Sequence, residues 1–182
     1  IRGDGPADGE TPGLDLEGAR LDGDLALIRC RLSETVLIRR AQLTNLFLSK
    51  SILTGGIAAD GLTAAGDVDL RNIEAADEIR LLGAKLGGDL CCSDASLQAK
   101  EVALSGDRME VAGNVWLDAI EAVGELRLAG AKLGGELYCN AAKLRATEDA
   151  LVADRMEVAG NVLLSEIDAA GALRLAGARL GG

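Results

Sequence analysis

The chain has 182 residues, a formal net charge of −10 and no histidine. Its residues are 48% hydrophobic but only 2% aromatic, so a core must be built from Leu, Val, Ile, Ala and Met. This acidic balance argues against direct nucleic-acid binding and against an anionic membrane surface, because both need cationic side chains. No run of about 18 apolar residues is present, so we predict no membrane span.

The four cysteines, Cys30, Cys91, Cys92 and Cys139, form no Cys-x-x-Cys pair. A zinc site would need further ligands, and the chain has no histidine to supply them. We interpret the cysteines as free thiols in a reducing compartment. Because no signal peptide is visible, we predict a cytoplasmic location, and we predict no metal and no cofactor.

Residues 1–13 are rich in Gly, Asp and Pro and have no apolar periodicity, which predicts a flexible lead-in. From Leu14 a unit of about 11 residues begins, with an apolar–any–apolar triplet and then a small residue two before a Leu. The triplet places two side chains on the same side of a short strand. Two such units provide four inward-facing segments, enough for one turn of a four-sided coil.

A longer repeat contains this unit. Residues 79–125 and 126–172 align without a gap, and their opening phrase returns once more at residue 173. A fixed period indicates a repeat architecture, and four units in each repeat predict two coils. We therefore predict an all-β, four-sided parallel β-helix over residues 14–182, as one domain with about 22 residues per coil and seven to eight coils. The predicted coil starts are Leu14, Val36, Ile57, Ile79, Leu104, Leu126, Leu151 and Leu173.

A helical solenoid is the alternative interpretation of the Leu-x-x-Ala-x-Leu spacing. Glycine pairs such as Gly87-Gly88 and Gly134-Gly135 interrupt the pattern every ten or so residues. Each interior glycine costs a helix about 1 kcal/mol, so we favour the β-helix.

The small-x-Leu part of each unit predicts two columns of corner-filling side chains, one at each of two corners. The first predicted column is Leu21, Leu43, Leu62, Leu86, Met109, Leu133, Met156 and Leu180; the second is Leu32, Leu53, Ile73, Leu97, Ile120, Leu144 and Ile167. This alignment puts Asp60, Asp107 and Asp154 at the small-residue corner site, where short carboxylates cap backbone N–H groups. It also predicts an outward, solvated ladder of Arg80, Arg127 and Arg174.

Ala19-Arg-Leu21, Ala84-Lys-Leu86 and Ala131-Lys-Leu133 resemble the Ala-(Asp/Asn)-Leu-x-x module of pentapeptide-repeat proteins. The resemblance covers residues 14–182 and implies a right-handed, four-sided β-helix with Leu at the corner. The units differ from strict pentapeptides because they have 11 residues, with insertions near 98–103 and 145–150. The repeats also resemble long bacterial chains labelled membrane-associated oxidoreductase, but no residue here supports redox chemistry.

No catalytic constellation is found. The runs 83–88 and 130–135 are Gly-rich and contain a lysine, but they match no nucleotide-binding motif, so we interpret their glycines as turn residues. Cys92 and Cys139 are expected in one column, two coils or about 10 Å apart, beyond disulfide reach. The sequence therefore favours a protein that is not an enzyme.

The aromatic residues all occupy the middle of an apolar triplet, so they are expected to point outward. Their predicted column is Ala26, Phe47, Asp69, Cys91, Trp116, Tyr138 and Leu163. Exposed apolar patches with Trp and Tyr mark contact sites, which predicts an interface. We call its apolar members the aromatic stripe: Phe47, Cys91, Trp116, Tyr138 and Leu163. The alternative is that another segment of the protein covers this surface.

These observations favour a non-catalytic scaffold or protein-interaction module. Its partner would be a protein, or a second copy, bound through the flat face or through the open C-terminal end. Because Gly182 falls in mid-coil, we expect more coils to follow or another subunit to pack there. Two alternatives come from the resemblances: an acidic DNA mimic acting on DNA gyrase, and a non-catalytic segment of a larger oxidoreductase.

Overall fold

The computed structural model describes residues 13–181, so the predicted lead-in lies outside the described residues except for Gly13, and Gly182 lies outside them as well. The fold is a parallel β-helix of about 7 turns with about 22 residues per turn, which confirms the predicted fold class. Residues 13–181 contain no helix, and therefore no helix able to cross a membrane.

Short strands form four faces, A to D, around the axis. Face A contains Val36–Leu37, Ile57–Ala58 and Ile79–Arg80. Face B contains Gln42–Leu43, Thr63–Ala64, Lys85–Leu86, Glu110–Val111, Lys132–Leu133, Glu157–Val158 and Arg179–Leu180. Face C contains Leu25–Ala26, Leu46–Phe47, Val68–Asp69, Leu90–Cys91, Val115–Trp116, Leu137–Tyr138 and Val162–Leu163. Face D contains Arg31–Leu32, Ile52–Leu53 and Glu74–Ala75.

Four longer strands run round the corner from face D to face A: Ser96–Ser105, Glu121–Arg127, Lys143–Val152 and Asp168–Arg174. They join these two faces into one 10-stranded sheet, whereas faces B and C are separate 7-stranded sheets. The two ten-residue strands contain the predicted insertions, and the pairing register shifts beside them, for example between Gln98 and Val102. The insertions therefore widen one corner and leave the opposite corners unchanged.

Every strand pairs in parallel with the equivalent strand of the next coil. On face A the register joins Val36, Ile57, Ile79 and Leu104, as the predicted coil starts require. The same holds for the inward column of face C, from Leu25 to Val162. The apolar triplets thus gave the correct register for the inward positions of both faces.

Tight turns make the corner from face A to face B and the corner from face C to face D. The N–H of Ala84 donates to the carbonyl of Leu81 at 3.0 Å, and the third residue of that turn, Gly83, has a φ of 62°. A positive φ at this position favours glycine. Gly130 adopts the same conformation, with a φ of 66°, which confirms both glycines as turn residues.

The interior of the coil is aliphatic. Among the described residues, the buried hydrophobic side chains are Leu, Ile, Val, Ala, Met and Cys, with no aromatic ring. The widths of the faces and the volumes of these side chains must therefore match closely, since no large ring is available to fill a gap.

The predicted corner columns are wrong in alternate coils. At face B, Leu43 pairs with Ala64 and Ala64 with Leu86, so Leu62 stacks between Ala41 and Ala84 instead. From Ala41 to Leu86 the order of the large and the small side chain reverses from coil to coil, whereas the first two coils share one order and stack Leu21 with Leu43. Strands about 4.8 Å apart pack best when a large side chain lies next to a small one.

The corner at face D shows the same error. Ala75 pairs with both Leu53 and Leu97, and Ile73 therefore stacks next to Ala95 rather than above a leucine. Met109 and Met156 at face B, with Ile120 and Ile167 at face D, are displaced in the same way. From residue 57 onward, small-x-Leu units alternate from coil to coil with units whose larger side chain comes first, which accounts for a sequence repeat of two coils rather than one.

Glycines between faces B and C allow close approach of successive coils. A Cβ atom added to Gly134 would lie 2.3 Å from the carbonyl oxygen of Ala112, whereas one added to Gly23 would meet nothing within 4 Å. We expect Gly134→Ala to lower the free energy of unfolding by about 1–3 kcal/mol through overpacking. Urea unfolding measures the change, and Gly23→Ala is the matched control. Equal stability of the two variants would contradict this packing.

Candidate functional site

The outward column of face C has the predicted membership. The pairing register joins Ala26 to Phe47, Phe47 to Asp69, Asp69 to Cys91, Cys91 to Trp116, Trp116 to Tyr138 and Tyr138 to Leu163. The five members of the aromatic stripe are half-buried. The structure therefore brings these residues together on one face; whether they form an interface stays a prediction.

Two rings of the stripe are stacked. The ring centroids of Trp116 and Tyr138 lie 3.9 Å apart with an interplanar angle of 3°. Trp116 Nε1 donates to Asp89 Oδ2 at 3.3 Å, and the Tyr138 hydroxyl donates to Glu136 Oε2. This hydrogen bond raises the pKa of Tyr138 and lowers the pKa of Glu136. Each ring is thus oriented both by its neighbour and by a carboxylate.

A ladder of amide and carboxylate side chains borders this face, and the sequence analysis missed it. Asn45 Oδ1 accepts the backbone N–H of Asp67, Asp67 Oδ1 that of Asp89, and Asp89 Oδ1 that of Asn114, at 2.7 to 2.9 Å. Asn114 Oδ1 accepts the N–H of Glu136 at 2.9 Å. The signal was available, because an Asp, Asn or Glu immediately precedes every strand of face C. We call the four residues that accept these bonds the Asx ladder.

A cavity of about 440 Å³ opens on face C between Phe47 and Trp116. Asp69 and Cys91 occupy the two intervening positions of the column, and both side chains are shorter than the rings. Arg71 also lines the cavity and binds both oxygens of Asp69, with Nε and Nη2 each 2.9 Å from the carboxylate. Asp69 therefore separates Phe47 from the rest of the stripe, whereas Cys91, Trp116, Tyr138 and Leu163 occupy consecutive coils.

Asp69 is only 8% exposed, so its ionised carboxylate needs the positive charge of Arg71 to stabilise it. Burial raises the pKa of Asp69, but the hydrogen bonds and the positive charge of Arg71 outweigh it, and the net pKa lies below 3.8. A carboxyl group whose pKa is lowered by folding stabilises the fold above its unfolded pKa, and this stabilisation is lost as the pH falls.

The placement of Asp60, Asp107 and Asp154 at the small-residue corner site is wrong. They lie in the turns between faces A and B, two residues earlier than predicted relative to the stacked alanines, and they point outward toward the arginines of adjacent coils. The physical reason is the alternation of corner residues, which shifts these coils by two positions. Two of the three do cap backbone N–H groups: Asp107 Oδ1 accepts from Ala129 and Asp154 Oδ1 from Ala176, each at 2.9 Å.

These aspartates pair with the arginines that were predicted as a separate solvated ladder. The nitrogen–oxygen distance is 3.0 Å for Arg80 and Asp60, 3.0 Å for Arg127 and Asp107, and 2.5 Å for Arg174 and Asp154. The two members of each pair are 20 residues apart in the sequence, and this constant separation could have revealed them. The ion pairs join adjacent coils, so their simplest role is structural.

Face B carries charges of alternating sign. Its outward column runs Lys85, Glu110, Lys132, Glu157 and Arg179. Lys85 lies 3.5 Å from Glu110, and Arg179 lies 3.1 Å from Glu157. A groove of about 800 Å³ runs beside this column. The groove is lined by three cationic and two anionic side chains that alternate, so it has no continuous patch of either sign.

All four cysteines are free thiols, and Leu117 lies between Cys92 and Cys139 in the inward column. Burial raises the pKa of Cys92, and burial raises the pKa of Cys139 to about 12. Among residues 13–181, no group of three or more Cys, Asp or Glu side chains is arranged to hold a metal ion.

Comparison of the chain with family models, with curated proteins and with solved structures finds no match. The resemblance to pentapeptide-repeat proteins therefore stays a prediction.

We expect thiol reactivity to follow burial. Cys92 and Cys139 are buried, whereas Cys30 and Cys91 are half-buried. Because thiolates are the reactive species, iodoacetamide at pH 8 should modify Cys30 and Cys91 in the folded protein and spare Cys92 and Cys139. Peptide mass spectrometry identifies the modified residues, and labelling in denaturant is the control. Rapid labelling of Cys92 in the folded state would contradict the inward column.

Arg71→Gln should destabilise the fold in a pH-dependent way. At pH 7 we expect a loss of about 1 kcal/mol, because Asp69 keeps its charge without its partner. The difference from wild type should shrink as the pH falls through 3.8 and below, where Asp69 becomes protonated. Urea unfolding at a series of pH values measures this difference in stability. Arg31→Gln, at an exposed position on face D, is the control. A difference independent of pH would exclude Asp69 as the partner that matters.

Proposed function

We propose that the protein is a non-catalytic scaffold that binds a protein partner through face C, with a second copy of the chain as the first partner to test. The observation that supports this most directly is the placement of every aromatic side chain of the chain on one outward column. None of the three contributes to the interior. Aromatic side chains on a surface are characteristic of contact sites.

The rigidity of the face favours this role. Trp116 and Tyr138 are held by their stack and by hydrogen bonds to Asp89 and Glu136. Side chains that are already ordered lose little conformational entropy when a partner binds. The aromatic stripe is thus prepared for contact without rearrangement of the coil.

DNA mimicry has no comparable support from the described surface. A DNA mimic would need acidic side chains along a continuous groove-like face. On face B the acidic residues Glu110 and Glu157 alternate with Lys85, Lys132 and Arg179. We therefore favour the scaffold over this alternative.

The test is the oligomeric state of wild type and of the double variant Trp116→Lys/Tyr138→Lys. Light scattering coupled to size exclusion over a concentration series should show a dimer or larger assembly for wild type and a monomer for the variant. Binding of a partner would bury both lysine ammonium groups. If they find no ionic partner, this lowers the binding free energy by several kcal/mol, enough to weaken association about a hundredfold or more.

Gln42→Lys/Thr63→Lys is the matched control. It places the same two added charges at exposed outward positions of consecutive strands on face B. This control should associate as wild type does. Association that persists in Trp116→Lys/Tyr138→Lys, or a wild type that stays monomeric throughout, would refute self-association through the aromatic stripe.

A further inference from the structure

We propose that the cavity between Phe47 and Trp116 binds the cationic group of a Lys or Arg side chain presented by a protein partner. The inference rests on the proposed function, because it specifies the chemistry that a partner of face C must carry. Three features of the cavity carry it: an available aromatic ring face, an excess of negative charge, and carboxylates fixed in place by the backbone.

The ring of Trp116 offers one side to a ligand. Its other side is covered by Tyr138, which belongs to the next coil and does not line the cavity. A cation within about 6 Å of a ring centroid is attracted by the negative ring face, and Trp is the best residue for this. The hydrogen bond from Trp116 Nε1 to Asp89 Oδ2 holds the ring in this orientation.

The charged residues that line the cavity are Asp67, Asp69, Asp89 and Arg71. Arg71 occupies both oxygens of Asp69, so these two charges offset each other. Among the described residues, Asp67 and Asp89 form no ion pair. The cavity therefore has two carboxylates in excess, which complements a cation and disfavours an anion.

The Asx ladder fixes both of these carboxylates. Asp67 Oδ1 accepts the backbone N–H of Asp89 at 2.9 Å, and Asp89 Oδ1 accepts that of Asn114 at 2.7 Å. Each residue thus uses one oxygen for the backbone and turns the carboxylate toward the face. Oδ2 of Asp67 has no hydrogen-bond partner in the described part of the chain, so it is available to accept from an ammonium or guanidinium group.

The dimensions suit a long side chain. Phe47 and Trp116 are three coil steps apart, which corresponds to about 14 Å along the axis. The volume of about 440 Å³ lies in the usual range of small-ligand pockets, about 300–1,000 Å³. A Lys or Arg stem can contact Phe47 while its charged end reaches Trp116 and Asp67, because such side chains combine an apolar stem with a polar head.

The chain has a single tryptophan, and Trp116 lines this cavity, so its fluorescence reports on binding there. The probe is a trilysine peptide with acetylated and amidated ends, titrated at low ionic strength, with triglutamine and potassium chloride as controls. We expect saturable quenching or a spectral shift with trilysine only. An equal response to triglutamine would show that charge is not recognised, and an equal response to potassium chloride would show a general ionic effect; either would overturn the proposal.

Asp67→Asn/Asp89→Asn removes the charges without removing the backbone acceptors, since Asn45 and Asn114 already occupy this ladder in adjacent coils. We expect trilysine to bind at least about fivefold more weakly to this variant. Phe47→Leu, which leaves the charges unchanged, should also weaken binding. The matched control is Glu34→Gln/Glu74→Gln, which makes the same change of net charge outside the cavity and should bind as wild type.

This outcome is distinct from that of the association experiment. If trilysine leaves Trp116 fluorescence unchanged while Trp116→Lys/Tyr138→Lys still abolishes association, the cavity proposal is wrong and the contact face stands. If trilysine binds wild type and the Asn variant equally, the proposal is also wrong, because the carboxylates then contribute nothing.

Discussion

The structure depends on one interaction, the parallel hydrogen bonding of each coil to the next. Main-chain donors and acceptors of neighbouring coils meet at 2.7 to 3.1 Å on every face, for example from Leu27 to Phe47 and from Leu48 to Asp69. This bonding keeps successive coils about 4.8 Å apart and in register. Residues at equivalent positions therefore stack in columns, and each side chain must be compatible with the one above and the one below. Packing, charge pairing and the candidate site all follow from that condition.

The stacking of equivalent residues in columns has different consequences for side chains in the interior and for those on the surface. Inside, it demands complementary volumes, so leucine stacks next to alanine at the corners of faces B and D. Outside, it brings partners together that lie far apart in the sequence, such as Arg127 with Asp107 and Trp116 with Tyr138. A column that contains short side chains between long ones leaves a recess. Asp69 and Cys91 do this between Phe47 and Trp116, and the recess becomes a polar cavity in an apolar stripe.

The inward register of faces A and C could be predicted from the sequence, because apolar alternation in a strand has a direct geometric meaning. The corners could not be predicted in the same way. Matching like residues placed Leu62 above Leu43, whereas packing places it above Ala41. The membership of the stripe was correct, but its cavity was missed, since a list of column members does not show that Asp69 is short and paired with Arg71. The Asx ladder was missed because the apolar triplets alone were compared between coils, and the polar residue that precedes each triplet of face C was not.

The alternation of large and small corner residues also limits how such a rod can change in length. From Ile79 onward, successive coils alternate between 25 and 22 residues, as the steps from Ile79 to Leu104, to Leu126 and to Leu151 show. Removing one of these coils would set Leu86 against Leu133 and Ala84 against Ala131, which is the like-on-like stacking that Leu21 and Leu43 show in the first two coils. Removing two coils restores every neighbour. Within residues 79–172, a step of 47 residues therefore preserves the alternation of corner residues, whereas a step of one coil does not. The repeating unit is thus the pair of coils.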